Sequence, residues 1–170
     1  MAVKLKDEAI LNQWSMLVDG AAQRGNEVLD DIQSRLTAAR IPGKCEWSLD
    51  EVESGGMFSK TKREFLIIRL DQFSDYRNYV SVRPYGTHLD CCRFLTVEPG
   101  FLKRQLSQAL TGGEDRALSV PKNLLVEQDL SAWVTVVHHA VIDAVKDLYT
   151  KLGQDPTGIR RETKGFLQVW

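Results

Sequence analysis

From Leu130 to Leu152 an apolar stripe runs through Trp133/Val134, Val137, Val141, Ala144/Val145 and Leu148. Contacts every three to four residues, kept up for about six turns, fit a helix that buries one side. Asp129 stands where an N-cap belongs, Gly153 at the C′ position and Pro156 just beyond. Such a helix needs a partner surface, so the rest of the chain must supply one.

The segment ahead of it has strand character. Cys45, Trp47 and Leu49 alternate with Glu46, Ser48 and Asp50, the pattern of a half-buried strand. Arg63–Leu70 holds the run Phe65-Leu66-Ile67-Ile68, which suits a strand buried on both faces. Asn78–Arg83 follows, and Pro84-Tyr85-Gly86 turns the chain into Thr87–Val97. Gly55-Gly56 breaks the block once. Short connections between successive strands favour an antiparallel meander.

At the N-terminus, Ile10, Trp14, Leu17, Ala21, Val28, Ile32, Leu36 and Ala39 recur at an average of about 3.6 residues. That spacing predicts a helix over about 7–40, ended by Ile41-Pro42-Gly43. As one rod it would be roughly 50 Å long, more than the ~40 Å diameter of a domain this size. It either breaks near Gly20 or Gly25, or overhangs and meets a second copy through Gly20-Ala21-Ala22. Pro99-Gly100 opens a short helix near Phe101–Leu110, and Gly112-Gly113 ends it. The closing Gly165-Phe-Leu-Gln-Val-Trp170 suits a terminal strand or docked tail.

The expected fold is therefore α+β. An antiparallel sheet of four to five strands carries the long N-terminal and C-terminal helices on one face. Residues 1–170 form one domain. Its parts are an N-terminal helix or helical pair (1–40), a β-meander (44–98), two helices (99–153) and a tail or strand (154–170).

A chain of 170 residues can bury a sufficient core without disulfides or a structural metal, so stability demands no cofactor. The 22 basic and 23 acidic residues are interspersed, which argues against a nucleic-acid partner. The opening Met-Ala-Val-Lys-Leu-Lys-Asp-Glu lacks the apolar core of a secretory signal. No run approaches the ~20 apolar residues of a membrane span. Of three cysteines, Cys91 and Cys92 are neighbours and on a strand point to opposite faces, so reduced thiols and a cytoplasmic location are expected.

Three groups of residues carry possible chemistry. His88, Asp90 and Cys92 share one face of a strand and have the donor types of zinc ligation or thiol and acid–base chemistry. No CxxC, HxxxH or HExxH spacing accompanies them, and no metal is assigned. Arg77, Tyr79, Arg83 and Tyr85 also share a face, and with Ser81 between them could form a stacking platform for an anion or single strand. Pairing with acidic neighbours across the sheet is the plainer account. His138-His139 lies within the long helix, where adjacent residues diverge by about 100° and cannot easily share an ion. Trp14, Trp47, Trp133 and Trp170 read as core anchors.

With no motif framing a nucleophile, the function expected is a small cytosolic binding or regulatory module working through protein–protein contacts as a homodimer. An enzyme or metal protein centred on His88, Asp90 and Cys92 is the first alternative. Nucleic-acid binding on the Arg/Tyr face is the second.

Overall fold

A computed structural model of the chain describes residues 3–4, 9–54, 61–98 and 124–165. The strands are β1 (Val3–Lys4), β2 (Ala9–Val18), β3 (Cys45–Ser54), β4 (Thr61–Leu70), β5 (Tyr76–Tyr85), β6 (His88–Val97) and β7 (Lys164–Gly165). Helix α1 spans Gly25–Ala38 and α2 spans Leu124–Lys151. The strands form one sheet in the order β1-β3-β4-β5-β6-β2-β7. Six are antiparallel to their neighbours, and β1 adds a two-residue parallel rung at Val52 and Glu53. The fold is α+β, with β3 to β6 forming the expected meander and both helices on one face.

The N-terminus corrects the expectation of a long helix. Residues 9–18 form a strand, and the helix that follows has 14 residues, about 21 Å. Over ten residues Ile10, Trp14 and Leu17 fit a helical spacing, but Asn12, Trp14, Met16 and Val18 equally fit period two. The second pattern wins because β6 offers β2 a pairing edge from Val97 to Leu89, and non-local pairing overrides local propensity. Ile10 and Leu17, assigned to the buried stripe, are instead 54% and 43% exposed. Gly20, with φ +66°, lies in the turn between β2 and α1 and makes no helix contact. The overhanging rod does not exist.

Pairing of β2 with β6 slips once. Ile10 faces Thr96 and Asn12 faces Leu95, so Leu11 is an extra residue. Asn12 keeps the helix-side parity of Trp14, and the bulge turns Ile10 to the other face of the sheet.

Helix α2 is a sound expectation with a different start. It runs from Leu124, so Asp129 sits inside it and caps nothing. Its end follows the Schellman pattern: Gln154 N–H donates to Tyr149 O (2.9 Å) and Gly153 N–H to Thr150 O (3.0 Å). The helix is buried on several sides, with the sheet below, α1 beside it and residues 159–163 across it. Val134, Val137, Val141, Val145 and Leu148 continue the sheet-side core of Trp14, Val18, Leu66, Ile68, Val80, Leu89 and Leu95. Val28, Ile32 and Leu36 of α1 join the same cluster. Ion pairs from Arg35 to Asp147 and from Lys151 to Glu27 (2.7 Å) tie the helices together at the surface. A second, smaller cluster of Val52, Phe65, Ile67 and Tyr79 lies on the opposite face.

Of the terminal strand, Lys164–Gly165 pairs with Gln13 and Asn12. The expected helix near 101–110, the Gly55-Gly56 and Gly112-Gly113 turns and Trp170 lie outside the described residues. No helix among the described residues is long and apolar enough to cross a membrane.

Gly153 has φ +68° and open space where a Cβ would go, so only the left-handed backbone resists a side chain. Gly153→Ala should cost about 1 kcal/mol, read as a lower urea midpoint at unchanged slope.

Candidate functional site

The β5–β6 hairpin places Arg83 opposite Asp90, Tyr85 opposite His88, Ser81 opposite Cys92 and Tyr79 opposite Phe94. His88, Asp90 and Cys92 thus share a face with Arg77, Tyr79, Arg83 and Tyr85, on the side away from the helices. Their contacts are mostly internal. Arg83 Nη2 lies 2.7 Å from Asp90, and the Cys92 thiol donates to the same carboxylate at 3.2 Å. His88 turns away to Asp19, with Nδ1 2.7 Å from its carboxylate. Burial pushes the Cys92 thiol up to about 12, helped by its hydrogen bond to Asp90 and the charge there. A thiol so firmly protonated is a poor nucleophile. Among the described residues no three His, Cys, Asp or Glu side chains converge as a metal site.

The aromatic platform is likewise committed. Tyr79 is fully buried, edge-on to Phe65 with ring centres 5.9 Å apart. Arg77 is paired with Glu98, and the Arg83 guanidinium lies 5.4 Å over the Tyr85 ring. Tyr85, at 59% exposed, is the remaining open ring of the set.

A polar constellation of another kind lies in the main core. Arg93 is fully buried on the helix side of β6. Its Nε and Nη2 donate to Asn78 Oδ1 (3.0 and 2.7 Å), and its Nη1 donates to Asn12 Oδ1 (2.9 Å). Burial alone lowers its pKa to about 9, with no carboxylate to oppose the shift. Asn12 Nδ2 in turn donates to Thr163 Oγ1 (2.7 Å). Beside this clamp two more buried side chains hold the C-terminal segment. Trp14 Nε1 donates to Arg160 O (2.7 Å), and His138 Nε2 meets Arg161 O (2.6 Å). A carbonyl only accepts, so His138 is the neutral tautomer with its proton on Nε2. It is packed edge-on against Trp14, and its Nδ1 has no partner among the described residues.

Sequence reasoning passed over this cluster, although a signal existed. Leu89, Cys91, Arg93 and Leu95 share one strand face, and Arg93 is the sole polar member. Asn78 breaks the apolar parity of Val80 and Val82 in the same way.

The third feature is the outer edge of β3. Asp71 N–H donates to Lys44 O at 3.2 Å, so the Lys44 backbone points toward β4. The register from Cys45 to Ser54 is unbroken. Alternation then turns the N–H and C=O groups of Cys45, Trp47 and Leu49 outward. Strand β1 reaches only Val52 and Glu53, and among the described residues nothing pairs with the edge before them. A recess of about 380 Å³ wraps this edge, lined by Cys45, Glu46, Trp47, Ser48 and Arg69. Trp47 is half-buried and Leu49 is 46% exposed. The alternation of residues 45–50 marks a strand in sequence, but its place at the edge depends on the sheet order.

No family model, no characterised protein and no solved structure matches the chain. Its function must be argued from these three features alone.

Two outcomes follow from the buried cluster. Asn78→Leu removes two of Arg93's three acceptor contacts and should destabilise the fold by about 3 kcal/mol. Adding Arg93→Met should recover part of that loss in urea unfolding. For His138, burial holds the folded pKa down at about 4, against an ordinary 6.5. The unfolded chain therefore binds a proton below about pH 6.5 that the folded chain refuses until about pH 4. His138 costs no stability above pH 7. Its penalty grows as the pH falls, to about 3 kcal/mol at about 1.4 kcal/mol per pH unit. Unfolding free energies of the wild type and His138→Gln, compared from pH 7.5 to 4, should diverge by that amount.

Proposed function

We propose that the chain is a protein-binding module that accepts an extended segment of a partner as an added strand along the outer edge of β3. The observation that carries this reading is the backbone of Cys45, Trp47 and Leu49, unpaired among the described residues and bordered by a recess and by the exposed Leu49. Unpaired strand edges are normally shortened, bulged, charged or covered, because they template pairing with other chains. This one is charged but neither shortened nor bulged over the seven residues before β1 begins, and a strand added there would gain main-chain hydrogen bonds.

The catalytic and nucleic-acid readings have weaker support. His88, Asp90 and Cys92 are engaged with Asp19, Arg83 and one another, and Arg77, Tyr79 and Arg83 are engaged within the sheet. The homodimer loses its first argument with the overhanging helix, and self-association now rests on the β3 edge alone.

The reading predicts an alternating exchange pattern. In the free protein the amides of Cys45, Trp47 and Leu49 should exchange within minutes, while those of Glu46, Ser48 and Asp50 stay protected. A ten-residue peptide with Val or Ile at every second position should slow the first three at least tenfold. Leu49→Pro removes an outward N–H that the domain itself does not use. It should abolish peptide binding with little change in the unfolding midpoint. Protection appearing elsewhere, or full binding by Leu49→Pro, would refute strand addition at β3.

A further inference from the structure

The side chains of the free edge differ on its two sides. Cys45, Trp47 and Leu49 stand on the helix side and are apolar. Glu46, Ser48 and Asp50 stand on the other side, where the Glu46 and Asp50 side chains are 60% and 41% exposed. Glu51, 62% exposed, follows on the helix side. From Lys44 to Glu51 the edge thus carries three carboxylates and one ammonium. Existing pairs do not neutralise it firmly. Lys44 to Glu46, at 2.6 Å, and Lys62 to Glu51, at 3.3 Å, join well-exposed side chains, and Asp50 to Arg69 is 3.9 Å. Exposed pairs of this kind are weak and exchangeable.

Resting on the strand-addition reading above, we infer that the natural partner of this edge is a basic amphipathic strand. On the helix side it presents Val-, Ile- or aromatic-type residues to Cys45, Trp47 and Leu49. On the other side it presents Lys or Arg at two positions four residues apart, opposite Glu46 and Asp50. Directly opposed side chains on an antiparallel pair interact, and opposite charges there stabilise whereas like charges repel.

A second copy of this chain fits less well. The two-fold register that pairs the whole free segment 45–51 with itself is centred on Ser48. It sets Glu46 of each copy against Asp50 of the other, two like-charge contacts in one short interface. In that register charge complementarity favours a basic strand over self-pairing.

Three labelled ten-residue peptides with Val and Ile at alternate positions test this, the intervening residues being Lys, Ser or Glu. Fluorescence anisotropy is recorded at 50 and 500 mM NaCl for the wild type, Leu49→Pro and Glu46→Lys/Asp50→Lys. The Lys peptide should bind the wild type about tenfold more tightly than the Ser peptide, and the Glu peptide more weakly than either. High salt should shrink the preference, and Glu46→Lys/Asp50→Lys should reverse it. Equal binding of all three, lost in Leu49→Pro, would overturn the basic partner and leave strand addition standing. No binding by any of them, or binding that Leu49→Pro leaves intact, would overturn both. Dimers in light scattering, with Cys45, Trp47 and Leu49 protected without peptide, would make a second copy the occupant and overturn the basic partner.

Discussion

Arg93 is a buried cation held by neutral amide oxygens, and the arrangement of the sheet's second half depends on it. Burying an unpaired charge is costly, and leaving its hydrogen bonds unmade costs more. Asn78 on β5 and Asn12 on β2 supply the acceptors from the strands that flank β6. Asn12 can do so because it keeps the helix-side parity of Trp14 in an unbroken register with β6. One guanidinium thus specifies strand register across β5, β6 and β2. A slip of one residue would carry the amides to the wrong face and leave the charge unmet.

From that clamp the order spreads to the C-terminus. Asn12 reaches Thr163, while Trp14 and His138 take the carbonyls of Arg160 and Arg161. Residues 160–163 are held by buried side chains, and β7 then pairs with β2. Gly165 has φ +115° and lies so close to the Leu11 carbonyl that no side chain fits. The sheet therefore manages its two ends differently. The β2 end is covered in part by the chain's own C-terminal segment, whereas among the described residues nothing pairs with β3 from Cys45 to Glu51. That asymmetry makes the β3 edge the more credible place for a partner. A strand arriving at β2 would first have to displace a segment fixed by buried hydrogen bonds.

The meander and the long C-terminal helix were legible because their patterns are local. Alternation over 45–49 and the stripe from Leu130 to Leu152 each need one buried side, and Gly153 stops the helix by backbone geometry alone. The N-terminal strand was not legible. Ten residues carrying Trp14, Leu17 and Val18 satisfy a helical and a strand period about equally, and pairing with β6, some 80 residues away, decided between them. Among site residues, alternation correctly put His88, Asp90 and Cys92 on one face, together with Arg77, Tyr79, Arg83 and Tyr85. It could not show that Tyr79 would be buried against Phe65, that His88 would turn to Asp19, or that Asp90 would serve both Arg83 and Cys92. Those are cross-strand and loop contacts, absent from any single strand's pattern.

Sequence alone determined the α+β class, the antiparallel meander, the extent of the buried helix face and its glycine stop. It did so because hydrophobic period and backbone steric limits act within a few residues. Tertiary structure decided that β2 is a strand and lies beside β6, that Arg93 is buried, and that β3 lies at the edge of the sheet. Each of these turns on which distant segments meet, and pairing energy between segments far apart in sequence leaves little trace in either one.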